Sequence, residues 1–276
     1  MFQHFGTYYN SGRSFPAQLH CEGLPVIEAR SLSKRFHDKK RGEVRAVDNV
    51  TFTARPGQIY GLLGANGAGK TTTLRMLATI LEPSDGTAVV DGYDVVDAPE
   101  KVRASVGFLS GGTALYPRLT AQEMVEYFGH LNGLDEATLK KRVDTIFDRL
   151  DMNEFRDRRC DKLSTGMKQK TSIARTLVHD PPVMIFDEPT SGLDVMTART
   201  IIAFIKECRD RGKTVIFSTH VMSEVEKLCD IVGIIQSGKL LTEGTLPQLR
   251  EKHGEQDLEE IFVKVVAPLY VEPEAK

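Results

Sequence analysis

The stretch Gly64-Ala65-Asn66-Gly67-Ala68-Gly69-Lys70-Thr71-Thr72 constrains this chain more than any other. It follows the apolar run Ile59-Tyr60-Gly61-Leu62-Leu63 and precedes the helix-forming Thr73-Leu74-Arg75-Met76-Leu77, so the local order reads strand, glycine-rich loop, helix. The pattern is G-x-x-x-x-G-K-[ST]. Its glycines let the backbone curl until several N–H groups point inward at a phosphate, and the next helix adds its positive N-terminal end. Lys70 is expected to reach the β- and γ-phosphates, and the Thr71 hydroxyl to ligate Mg²⁺. A plain glycine turn would not need a Lys-Thr-Thr helix start with these flanks. The expectation is a nucleoside triphosphate site.

The chain has 276 residues, 41% hydrophobic and 27% charged. That is enough apolar material for a large core, and the length suits one α/β domain carrying an inserted subdomain. A formal net charge of −2 gives no global reason to bind nucleic acid, so no nucleic-acid partner is expected. No apolar run approaches the roughly 18 residues that a membrane span needs, so any membrane work requires a partner. Cys21, Cys160, Cys208 and Cys229 lack C-x-x-C spacing, which argues against a zinc site or a disulfide framework.

Residues 1–25 show neither helical nor strand period and read as a loose tail. Strand character begins at Val26-Ile27-Glu28-Ala29 and returns at Ala46 to Ala54, with Pro56-Gly57 turning into the phosphate-loop strand. These strands predict a small antiparallel sheet beside the nucleotide. Between them lie Phe36 and the charged run His37 to Glu43, which reads as a solvated hairpin. Phe36 is either a face for adenine to stack on or a half-buried strand residue, and the residues alone do not choose. From about 111 to 181 the composition turns helical: Met124, Phe128 and Leu131 recur on one face, as do Leu139, Val143, Ile146, Phe147 and Leu150. This predicts a helical subdomain inserted into the core. At its exit, Leu163-Ser164-Thr165-Gly166-Met167 opens a further helix with Ser164 as N-cap, a second anion-binding terminus.

Val183-Met184-Ile185-Phe186-Asp187-Glu188 reads as a buried strand ending in adjacent carboxylates, placed where a doubly wound sheet binds its ligands. Asp187 is expected to hold Mg²⁺ through water and Glu188 to polarise the attacking water. Ser191-Gly192-Leu193-Asp194 is read as the start of a helix. The strand Thr214 to Ser218 then delivers Thr219-His220 to the same edge, which favours a γ-phosphate contact for His220.

In that order and at those separations, the phosphate loop, LSTGM, the apolar strand closed by DE, SGLD and the late histidine resemble the ATP-binding cassette of ABC transporters. The resemblance covers residues 26–245 and implies an α/β fold: a P-loop NTPase core of the ABC-ATPase type, with an antiparallel β subdomain and an inserted helical subdomain. It implies an ATP-hydrolysing, transport-coupled subunit using ATP and Mg²⁺. Phe36 matches the adenine-stacking aromatic, Gly64 to Thr72 the phosphate loop with Lys70 and Thr71 as phosphate and Mg²⁺ ligands, and Ser164 and Gly166 the signature motif. Glu188 matches the hydrolytic glutamate, Asp194 the aspartate of the loop that crosses the dimer, and His220 the switch histidine. Cassettes of this family pair head to tail, each ATP lying between one copy's phosphate loop and the other's signature helix. The implied partners are a second copy and a separate transmembrane permease subunit, at the cytoplasmic face of the membrane.

One position departs from the family pattern: Gly111 stands where a glutamine usually touches Mg²⁺ and links the site to the membrane partner. This glycine-rich variant, with Thr72 to Pro83, Leu115 to Thr120 and Lys168-Gln169-Lys170, looks most like the sodium-efflux, NatA-like group. Exporters of drugs, lipids or polysaccharide use similar cassettes, and a soluble ATPase of the same fold is a further alternative. Residues 246–276 predict two short amphipathic helices covering the core, then a terminal tail.

Overall fold

The computed structural model describes residues 26–38, 42–110 and 115–269. The chain opens with a long hairpin, β1 (Ile27–Asp38) against β2 (Gly42–Ala54), in antiparallel register. Both strands outrun the expected segments, because cross-strand pairing carries the polar Lys34 and Arg35, and Phe36 after them, into β1. The tip at 39–41 and the loose tail expected at 1–25 lie outside the described residues. β3 (Ile59–Leu63) follows, then α1 (Lys70–Leu77), β4 (Asp85–Val90), β5 (Tyr93–Asp94), α2 (Pro99–Ser105) and β6 (Val106–Ser110). Three helices come next: α3 (Ala121–Leu131), α4 (Glu136–Arg149) and α5 (Thr165–Leu177). The remainder is β7 (Val183–Asp187), α6 (Val195–Asp210), β8 (Thr214–Thr219), α7 (Met222–Leu228), β9 (Ile231–Gln236), β10 (Lys239–Gly244), α8 (Leu246–His253) and α9 (Leu258–Val266).

These strands make two sheets, β2-β1-β4-β5 and β10-β9-β3-β8-β7-β6. In the second sheet β9, β3, β8, β7 and β6 are mutually parallel, and β10 closes one edge antiparallel. Parallel strands buried on both faces should read as apolar runs, and β7 (Val183 to Phe186) and the middle of β8 (Val215 to Phe217) do, with polar residues only at their ends. Met184, Phe186, Val215 and Phe217 pack toward the helical layer of α3 to α6, while Val183, Ile185 and Ile216 pack toward α1 and the antiparallel sheet. A third cluster joins Leu63, Val232 and Ile234 to Leu249, Leu258 and Ile261 of the two C-terminal helices.

Two sequence readings need correction. Leu131, expected on the buried face of α3, is 64% exposed. The stripe that packs is Ala121, Met124, Val125, Phe128 and Gly129, and at Gly129 the missing Cβ admits the Leu139 side chain of α4. Leu131 is the last residue of α3, past the stripe that packs. Nor does the helix after Glu188 begin at Ser191. It begins at Val195, with Asp194 as its N-cap.

Candidate functional site

Strand register assembles one row of side chains along the carboxyl edge of the parallel sheet. Ser110 on β6 pairs with Asp187 on β7, Asp187 with Ser218 on β8, and Thr219 with Leu63 on β3. β3 lies between β8 and β9, both parallel to it and both from late in the sequence, and a doubly wound sheet binds its ligands at the carboxyl ends of such strands.

The loop after β3 is pinned on all sides. The Gly64 N–H donates to the Thr219 carbonyl at 3.3 Å, and the Gly238 N–H donates to the Ala68 carbonyl at 2.8 Å. Gly69 adopts φ 108°, and a Cβ there would stand 2.7 Å from the Ala46 carbonyl oxygen of β2. A Cβ on Gly64 would run into the Ile235 carbonyl oxygen of β9. These glycines therefore serve close backbone approach as much as curl. Lys70 is 4% exposed, and its ammonium donates to the Gly64 and Ala65 carbonyls at 2.7 and 3.1 Å. Its charge is thus fixed at the mouth of the loop.

Glu188 lies directly across. Its Oε1 is 3.1 Å from Lys70 Nζ and its Oε2 is 3.3 Å from His220 Nδ1, so one carboxylate spans both groups. The backbone at Glu188 has φ 48°, a left-handed conformation costly for a side-chain-bearing residue. It is held there by its N–H, which donates to both the carbonyl and the hydroxyl of Ser218 at 3.1 Å. Asp187, 4% exposed, accepts from Ser218 Oγ at 2.7 Å and from Thr71 Oγ1 at 3.1 Å. Ser218 was not singled out in the sequence, nor were Ala46 and Arg75, which line this 520 Å³ cleft together with Ser110 and Ser191. Only the position of Ser218, just before Thr219-His220, hinted at it.

Asp187 and Thr71 offer two hard oxygen donors side by side. That set fits Mg²⁺, which takes oxygen ligands and is usually held by one or two carboxylates together with substrate phosphates. A carboxylate beside an ammonium and an imidazole can accept a proton from water while the ammonium steadies phosphate charge.

Ser164 and Gly166 are not brought to this cleft. They line a second one of 950 Å³, with Asp194 and Thr197. Ser164 Oγ accepts from the Met167 N–H at 3.3 Å and caps α5. Gly166 faces the N-terminus of α6, where a Cβ would meet Thr197 Oγ1 at 3.1 Å. Asp194 accepts from the Thr197 hydroxyl at 2.6 Å and from the Thr197 and Met196 N–H groups at 2.9 and 3.0 Å. The Thr197 hydroxyl and those N–H bonds hold its carboxyl below the usual carboxylate range. The two clefts share no lining residue, yet Ser191 borders the first and Gly192 the second.

Phe36 pairs with Val44 and is 40% exposed, with Lys34 Nζ 5.6 Å above its ring. It does not line the phosphate-loop cleft, which Ala46 borders on that side. Gly111 lies outside the described residues.

The family model described as "ABC transporter" matches residues 47–191. The chain is 45% identical over 239 residues to "ABC transporter ATP-binding protein NatA" of Bacillus subtilis, covering 86% of this chain and 97% of that one. The chain belongs to the ABC transporter ATP-binding family. This ABC subunit is therefore an ATPase of a transport system. It is also 33% identical to the linearmycin resistance ATP-binding protein LnrL of Bacillus subtilis, over 83% of this chain and 72% of that one. With the probable multidrug ABC transporter ATP-binding protein YbhF of Escherichia coli it shares 33% identity, over 89% of this chain and 43% of that one. A solved ATP-binding subunit of an ABC transporter superposes with TM-score 0.80 at 28% identity, over 87% of this chain and 99% of that one. The dimeric structure of MJ0796, a bacterial ABC transporter cassette, gives 0.73 at 25% identity, over 79% and 98%.

Proposed function

We propose that two copies of this ABC ATPase close head to tail on ATP and drive sodium export through a separate membrane subunit, to which they attach on its cytoplasmic face. One observation carries the pairing: a single chain holds a phosphate-loop cleft and a signature cleft that share no residue. An ATP bound on one copy's loop is completed by the other copy's Ser164 and Gly166, with Asp194 at the crossing. The dimeric cassette among the structural neighbours supports this arrangement. Among the described residues no helix is long and apolar enough to cross a membrane, which supports a separate permease.

In this reading residues 26–245 form the ATPase domain with the helical unit at 111–181 inserted, and residues 246–276 form a C-terminal appendage. The loop N–H groups from Gly64 to Thr72 cradle the phosphates, and Lys70 exchanges its loop carbonyls for β- and γ-phosphate oxygens. Phe36 stacks on adenine. Glu188 accepts the proton of the attacking water, and His220 holds that carboxylate and contacts the γ-phosphate. Thr71 and Asp187 would hold Mg²⁺. When bound, it neutralises charge on the β- and γ-oxygens. Tyr116 and Leu119 lie at the entrance to α3 and belong to the surface that meets the permease. Glu123, which closes a capping box with Thr120 by accepting its N–H at 2.8 Å, shapes that entrance.

The sodium assignment rests on the sodium-efflux resemblance of the sequence and is supported by the similarity to NatA. Similarity to the linearmycin resistance and multidrug proteins favours a second reading, export of an organic compound. Vesicles containing the chain with its permease should accumulate or release sodium only with Mg-ATP. Glu188→Gln should abolish that flux and at the same time trap an ATP-bound dimer, read by light scattering. Flux of a drug but not of sodium supports the second reading, and a Glu188→Gln chain that stays monomeric in saturating ATP refutes the pairing.

A further inference from the structure

A third cavity, of 380 Å³, opens between α4 and α6, away from both clefts just described. One face of α4 supplies Thr138, Lys141, Arg142, Thr145, Ile146 and Arg149, at a spacing that puts them on one stripe of the helix. The facing stripe of α6 supplies Phe204, Glu207 and Cys208, and Arg211 follows as its C-cap. The floor between them is apolar: Ile146, Leu150, Leu177 and Phe204 meet there. Burial pushes the Cys208 thiol up to about 12, so it adds apolar surface rather than a nucleophile.

The rim is cationic, with five basic side chains facing two carboxylates. Both carboxylates are already engaged. Asp180 takes Lys213 at 2.6 Å and Arg142 at 4.0 Å, while Glu207 takes Arg149 at 3.3 Å and Arg211 at 3.0 Å. The cations exceed what these acids balance. An apolar floor of this volume under a basic rim matches a ligand with an apolar body and one negative head, and the volume lies in the range of about 300–1,000 Å³ found for small-molecule sites.

We infer that the cavity between α4 and α6 binds a small amphipathic anion, a single-chain carboxylate whose tail lies on Ile146, Leu150 and Phe204 and whose head lies among Lys141, Arg149 and Arg211. The inference does not depend on the transport reading, since none of these residues lines either nucleotide cleft.

The probe is decanoate, titrated calorimetrically into the full chain. Acetate supplies the same charge without the tail, and decyltrimethylammonium the same tail with opposite charge. Saturable one-to-one binding of decanoate is expected, at least tenfold tighter than either control. The exposed pair K141E/R211E should weaken it at least tenfold. Thr145→Trp, on the exposed side of the cavity wall, should block it by filling the space, and as the sole tryptophan of the chain would report its own folded environment by fluorescence. Binding that is not saturable, that is matched by the cationic control, or that survives both variants overturns the inference.

Discussion

At the scale of single residues, Ser218 does more than its size suggests. It is fully buried, and its hydroxyl donates to Asp187 while accepting the N–H of Glu188, so one atom fixes both carboxylate positions. Replacing it with alanine leaves a buried Asp187 oxygen one donor short and frees a strained backbone. Ser218→Ala should lower stability by about 1–3 kcal/mol, measured by urea unfolding, and reduce ATP turnover more than ATP affinity. Lys70, Asp187, Glu188 and His220 were legible because each belongs to a short motif whose chemistry is local in sequence. Ser218 and Ala46 were not, because only the packing of separate strands brings them to the site.

Among the elements, α5 shows how a modest capping bond can serve two ends. Ser164 caps its first turn, and the buried Ile173, Ala174 and Leu177 anchor its other end in the core. Ser164→Ala should cost about 1 kcal/mol of unfolding free energy by the same measurement, a typical price for a lost N-cap. Periodicity found α4 and α5 because their apolar stripes are long and continuous. It misplaced Leu131 because a glycine, Gly129, is part of the packed face of α3, and a residue without a side chain leaves no hydrophobic mark. The hairpin strands were read short for a related reason: their distal halves are solvent-exposed, and backbone pairing rather than apolar alternation holds them.

For the whole molecule, the separation of the two clefts makes a sharp demand on pairing. A Lys70→Ala copy and a Ser164→Arg copy should each be inactive alone. Mixed, they form a heterodimer in which one composite site keeps both wild-type halves. Random pairing should then restore up to roughly a quarter of wild-type ATPase activity. Mixing that restores nothing would place the loop and the signature helix in service of the same nucleotide on one chain. The six-stranded order itself was only partly legible, since β9 and β10, which the sequence did not announce, come late in the chain and lie on the side of β3 opposite β8.

Ser191 and Gly192 are joined by a single peptide bond, yet they face different cavities. In the proposed head-to-tail pair, a shift of that loop on loss of one terminal phosphate would reach the neighbouring nucleotide at once. Two copies paired in that way would keep common time, each stroke of one engine setting the valve of the other.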